Sequence, residues 1–185
     1  MDLEWITVRG GVSRFGDRAR RVRIPTLRWT RTPITYAQLD RIPPCGSRHH
    51  PVTDLDHDDA VAVAATLGGR LPRSAEWEWM AAGAERRQWP WGDQPWNPTL
   101  ANLRDAGHAY TVPVDAHSDG ATPEGILDVA GNVWEWTATP TMGAGAVIRG
   151  GSYASSPLYA RCTFLNAAPT DLRSPGIGLR VVIAP

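Results

Sequence analysis

The sequence predicts an α+β domain with short helices, a set of short strands and an unusually large share of irregular chain. Three observations carry this. Residues 58–67 place apolar side chains at helical spacing ahead of a glycine stop, and 74–83 set Trp77 and Met80 on one side after Pro72. Short apolar runs elsewhere alternate as strands do, and none is long. The 18 Gly and 16 Pro are spread through all 185 residues instead of pooling in a linker, so a single domain over 1–185 is expected, with no solenoid repeat.

Taken in order, residues 4–8 read as a strand closed by Gly10 and Gly11. Residues 21–29 alternate Val22, Ile24, Leu27 and Trp29 around Pro25, which suits an edge strand. A short helix is expected at 36–42. In the 58–67 helix Ala60, Val63, Ala64 and Leu67 share a face, Asp56 caps the start, and Gly68 and Gly69 end it. The 74–83 helix begins just after Pro72, with Trp77 and Met80 on one side and Trp79 on another. Beyond it, WPWGDQPWNP cannot remain helical, so its tryptophans must fill space from irregular chain. Residues 133–137, 146–149, 160–165 and 179–183 complete the expected strands.

Composition is globular: 42% hydrophobic, 21% charged and formally neutral, enough to bury a core without a disulfide scaffold. Cys45 and Cys162 lack CxxC partners, which rules out a zinc ribbon and leaves one bridge or two free thiols. All 19 basic residues are Arg, a coding bias more than a phosphate-binding chemistry. Residues 1–48 carry ten Arg against four acids, 49–140 five against fourteen, and 141–185 four against one. A basic stripe for nucleic acid is not expected from this neutral balance. With neither a signal-like start nor a long apolar run, no membrane association is expected and the cytoplasm is the default compartment.

DLDHDD at 54–59 could attract a divalent cation, but carboxylates at a helix start already satisfy unpaired N–H groups, and capping is the stronger reading. His49, His50, His108 and His117 form no ligand spacing, and no nucleophile elbow is present.

Four segments in order, LGGRLPRSAEWEWMAAG (67–83), WPWGD (89–93), GILDVAGNVWEW (125–136) and RGGSY (149–153) followed by GIGLR (176–180), resemble the formylglycine-generating enzyme (sulfatase-modifying factor) family. EWITVRGG and TRTPITYAQL are similar to an abbreviated form of its opening. The resemblance implies a variant of the C-type lectin fold: two helices on a twisted antiparallel sheet, with a ligand-facing surface from the last forty or so residues. Its members include copper-dependent formylglycine-generating oxidases, sulfoxide synthases, a pyoverdine-maturation oxidase and the binding-only variable proteins of diversity-generating retroelements. Fold alone does not choose among them.

The oxidases hold copper(I) on two cysteines after RGGSY, at offsets that here fall on Ser155 and Ala160. Neither replaces a soft thiolate, so no copper is expected. Iron stays open, although the sulfoxide synthases draw their histidines mainly from a helical domain this sequence lacks. Cys162 reads as a buried strand residue. The resemblance further implies a structural calcium site from Asp128, the Gly131 and Val133 carbonyls, and Glu135, hard oxygen donors of the kind calcium takes. The competing reading pairs Glu135 with Arg149 or Arg180 and leaves Asp128 to cap the turn. A second calcium site would use Asn102 and the Leu103 carbonyl, with a shortened acidic loop. Trp134 and Trp136 should share a face opposite Glu135.

Residues 153–175 are rich in Tyr, Ser, Asn and Thr, a composition suited to recognition. The leading expectation is a non-catalytic module presenting Tyr153, Ser155, Ser156, Tyr159, Phe164, Asn166, Thr170 and Asp171 to a protein, peptide or small molecule, with Arg149, Arg161 and Arg180 as scaffold. The alternative is a metal-dependent oxidase or tailoring enzyme of altered chemistry using Asp171, Glu124 or His117.

Overall fold

The computed structural model describes residues 3–16, 19–44 and 46–185. Cys45, and with it the question of a bridge, lies outside them.

The chain opens with β1 (Trp5–Val8), β2 (Gly11–Phe15), β3 (Arg20–Ile24) and β4 (Leu27–Thr30). The single strand expected at 21–29 is therefore two. Pro25, with no N–H to give a ladder, stands at the break: β3 turns back on β2 as a separate ribbon, while β4 pairs antiparallel with β1. At 36–42 there is a turn and no helix. Thr35 and Gln38 bond each other's backbone N–H with their side chains, Asp40 takes a positive φ of 52°, and Pro43 and Pro44 bar continuation.

The helices expected at 58–67 and 74–83 are present. In α1 (His57–Thr66) the Asp56 carboxylate accepts the Asp59 N–H at 2.9 Å, and Arg173 clamps Asp56 and Asp59 at 2.7 and 2.5 Å. The acidic run is thus a capped helix start, as preferred. In α2 (Ser74–Ala82) Glu76 reaches back to the Arg73 N–H at 2.8 Å and pairs with Arg70.

The second half builds a four-stranded sheet from β5 (Trp134–Pro140), β6 (Gly145–Arg149), β7 (Asn166–Pro169) and β8 (Ile177–Gly178), in the order β7-β6-β5-β8. β8 runs parallel to β5, an exception to the antiparallel expectation. β9 (Val182–Ile183) returns to β4, joining the chain end to its beginning.

Residues 160–165 are not a strand. Their alternating burial imitates one, but the Cys162 N–H goes to the Gln88 carbonyl, and the Arg149 guanidinium takes the carbonyls of 162, 163 and 164. No ladder partner is left, and the strand starts only at Asn166. The expected strand 179–183 is likewise interrupted, because the Leu179 carbonyl accepts the Ile34 N–H and Arg180 turns fully inward.

Tryptophans divide among three apolar clusters. Trp134 and Trp136 pack with α1, Trp29 and Trp77 with the α2 side, and Trp89 with Leu103, Ala130 and Ala160. Each buried ring removes roughly 150–250 Å² from water, which compensates for sparse secondary structure. Two buried ion pairs cross this interior: Arg180 with Glu135 at 2.8 Å and Arg149 with Glu78 at 2.7 Å. Among the described residues no helix is long and apolar enough to cross a membrane.

Candidate ligand-binding cleft

The turn before β5 sets the site. Asp128, Gly131 and Asn132 all adopt positive φ, at 52°, 81° and 62°. A Cβ on Gly131 would collide with the Asn102 carbonyl, so glycine is required there. Asn132 bonds the Val112 N–H and carbonyl with its side chain, at 3.0 Å each, and its own carbonyl accepts the Tyr153 N–H. The Trp134 N–H then meets the Gly176 carbonyl at 2.8 Å. Three distant segments therefore converge on Trp134, Tyr153 and Gly176.

Around them lies an open cleft of about 310 Å³, lined by Trp134, Tyr153, Asn166, Leu172, Pro175 and Ile177 among others. A smaller hollow of about 60 Å³ adjoins it across Tyr153 and Pro175. Trp134 and Trp136 do share the α1-side cluster, while Glu135 points the other way to Trp77. Trp134 also contributes to the cleft wall, a role its core position in the sequence did not suggest.

The eight residues expected to face a ligand do not act together. Tyr153 and Asn166 line the cleft. Ser155 is turned inward: its hydroxyl accepts the Ser152 N–H at 3.0 Å, and it ties off the loop instead of presenting a surface. Ser156 lies at the start of the turn Pro157–Ala160. Tyr159 and Phe164 form an edge-to-face pair at 5.0 Å, with Phe164 6.4 Å from Trp134, so they extend an aromatic row beside the cleft. Thr170 ties β7 to α1, its carbonyl accepting the His57 N–H at 2.9 Å, and Asp171 is exposed next to it. Leu172, Pro175 and Ile177 were missed because isolated apolar residues in a Pro-Gly loop carry no periodicity.

Ser155 and Ala160, the positions where the resemblance implies copper-binding cysteines, are both taken up within the fold. Ser155 is spent on Ser152, and the Ala160 methyl is buried against the Trp89 and Leu103 cluster. Cys162 is buried behind this surface, where burial pushes its thiol up to about 12, opposite to what a metal-binding or nucleophilic thiolate needs. This donor set does not fit copper(I).

The calcium ligands fit poorly as a set. Glu135 is fully buried and its two oxygens accept N–H groups from Arg180 and from the Trp77 indole at 2.7 Å. A cation there would have to compete with a guanidinium already in contact. Asp128 is buried with, among the described residues, a single side-chain bond, from Asn132 at 3.1 Å, and burial pushes its carboxyl up to about 7. Asn102 holds a buried Oδ1 with no partner, whereas the Leu103 carbonyl accepts the Ala106 N–H.

His117 is buried with an Nδ1 that has no partner among the described residues, its ring centroid 6.4 Å from that of His108, and its pKa is lowered by burial and then by that neighbour. Glu124 and Asp171 are exposed. Among the described residues no three His, Cys, Asp or Glu side chains converge as metal ligands would.

Comparison with known proteins places this geometry. Residues 41–185 match the sulfatase-modifying factor enzyme 1-like domain. A hercynine oxygenase of Mycolicibacterium thermoresistibile is 35% identical over 163 residues, covering 73% of this chain and 35% of that protein. The formylglycine-generating enzyme of Streptomyces coelicolor is 32% identical over 168 residues, covering 73% and 53%. The chain thus spans between about a third and a half of these relatives' length. In structure it superposes on the Treponema denticola variable protein 1 with a TM-score of 0.86 at 17% identity, covering 100% of this chain and 96% of that one. PvdO from Pseudomonas aeruginosa gives a TM-score of 0.75 at 19% identity, covering 97% and 94%.

Proposed function

The chain belongs to the family of sulfatase-modifying factor enzyme 1-like domains, and from that membership we propose that it is a non-catalytic binding module whose ligand occupies the cleft between Trp134, Tyr153 and Leu172. One observation carries the reading. The two positions where the oxidases would place thiolates hold a serine committed to its own loop and an alanine committed to the core, while the adjoining cleft stays open. A cleft with rigid aromatic walls and a few polar rim groups such as Asn166 and Ser174 binds by shape and apolar burial. The ligand is a protein, peptide or small molecule.

Panning a displayed random-peptide library on the purified chain and on its Leu172→Gln variant tests this. Binders recovered on the wild type and lost on the variant support the cleft. Identical recovery on both, or no binder on either, counts against it.

The names of the oxygenase and formylglycine-generating relatives, together with the unpartnered His117 Nδ1, favour a second reading: an oxidase of altered chemistry. Stoichiometric iron or copper in the as-isolated protein would favour it over the first. For calcium we propose a structural role at the turn that carries Asp128, the Gly131 and Val133 carbonyls and Glu135, where Glu135 would have to share its oxygens with Arg180.

A further inference from the structure

The small hollow beyond Tyr153 and Pro175 is lined by Tyr36, His50, Asp54, Tyr110 and Tyr153 among others. Asp54 has a φ of 59°, a left-handed conformation that only Gly, Asn and Asp adopt at modest cost. Its N–H bonds the Ser174 carbonyl at 3.1 Å, and its carbonyl accepts the Arg173 guanidinium at 3.0 Å. Backbone strain held this way places an exposed carboxylate at the hollow.

Among the described residues that carboxylate makes no ion pair. Arg173 directs its charge to Asp56 and Asp59, so three carboxylates stand against one guanidinium at this rim. The Asp54 side chain has one long hydrogen bond, from the Thr53 hydroxyl at 3.4 Å, and that hydroxyl is 3.2 Å from the Tyr36 hydroxyl. His50, the histidine in the wall, bonds the Thr111 hydroxyl at 2.9 Å, and burial lowers its pKa, so it adds no positive charge near neutrality. Tyr110 and Tyr153 meet with ring centroids 6.5 Å apart and planes inclined by 46°. Tyrosine rings around an unpaired carboxylate and hydroxyl oxygens offer both π-faces and acceptors to a cation.

We propose that this hollow is a subsite for a primary alkylammonium group. The proposal rests on the cleft being the ligand site: an apolar stem lies along Trp134 and Leu172, and the ammonium enters the hollow against Asp54. Its three N–H donors match Asp54, Thr53 and Tyr36, and a hollow of about 60 Å³ suits a compact head. The group is either a lysine side chain of a polypeptide or a free small amine.

The test is an NMR titration of the full chain with N-acetyl-lysine methylamide, butylamine and the isosteric neutral N-acetyl-norleucine methylamide. Both amines should shift resonances of the hollow, and the lysine derivative should bind about tenfold more tightly than norleucine. Asp54→Asn, which tolerates the same backbone, should erase that preference and leave norleucine binding unchanged. Tyr110→Ala, at an exposed site, should weaken only the amines. A lysine derivative tighter than butylamine identifies a polypeptide source, and equal affinities a free amine. Equal binding of lysine and norleucine derivatives, no shift at the hollow, or a preference that survives Asp54→Asn would overturn the subsite. Failure of the cleft reading looks different: Leu172→Gln would leave lysine affinity unchanged while Asp54→Asn still weakened it.

Discussion

The Arg180 Nη2 lies 2.8 Å from the Glu135 Oε1, and neither side chain is accessible to solvent. The same guanidinium donates to the carbonyls of Thr30, Arg31 and Leu127, so one charge holds the end of β4, the turn before β5 and the segment of Arg180 together. A buried pair of this kind owes its importance to what its loss leaves behind, an uncompensated charge in a dry interior.

Glu135→Ala should therefore destabilise the fold by about 3–5 kcal/mol, and Glu135→Gln by less because it keeps an acceptor for Arg180. Urea unfolding followed by far-UV circular dichroism measures both. A loss below about 1 kcal/mol for Glu135→Ala would show that the pair does not tie these segments together.

Asp128 gives a pH dependence of definite sign. Its carboxyl is raised by burial to about 7 in the fold, against an ordinary value of 3.8. The folded state holds the proton more tightly, so the contribution of this group is fully present below about pH 4 and is lost as pH rises through about 7. Stability should fall across that window by an amount on the order of 1–4 kcal/mol. Asp128→Asn, at home at the same positive φ, should flatten the slope. Calcium should do the same in the wild type if it binds Asp128, by keeping the ionised form neutralised. A slope unchanged in the variant would remove Asp128 as its source.

Gly131→Ala should cost well over 1 kcal/mol, since it combines a positive φ of 81° with a Cβ driven into the Asn102 carbonyl. Gly143→Ala is the control: its φ of 83° is similar, but a Cβ there meets nothing within 4 Å. Thermal unfolding of the two should differ, with the Gly131 variant the weaker.

Cys162 is fully buried with its thiol pushed up to about 12, so in a Cys45→Ser background it should resist maleimide in native buffer and react only as the protein unfolds. Rapid native labelling would place it at a surface and reopen it as a reactive group.

Much of this architecture was legible in the sequence where a local signal and the tertiary result agree. Asp56 ahead of an apolar stripe gave α1, and Pro72 ahead of Trp77 and Met80 gave the start of α2. The two failures in the second half share a cause: long side chains competing for backbone. Arg149 takes three successive carbonyls that would otherwise join a ladder at 162–164, and Arg180 interrupts the last strand. Neither effect can be seen without knowing where Glu78 and Glu135 lie. Of the residues singled out from composition, Tyr153 and Asn166 line the cleft, whereas Ser155 faces inward because Ser152, three residues earlier, offers its N–H. Asp54 went unnoticed because it belongs to an acidic run whose other members cap a helix.

The most direct test is oxygen uptake by the purified chain loaded in turn with copper(I) and iron(II), in the presence of a cysteine-containing peptide or hercynine. With Ser155 and Ala160 in place of the thiolates, uptake should not exceed that of metal and substrate without protein. Protein-dependent consumption of oxygen coupled to conversion of either substrate would contradict the account of this chain as a binding module.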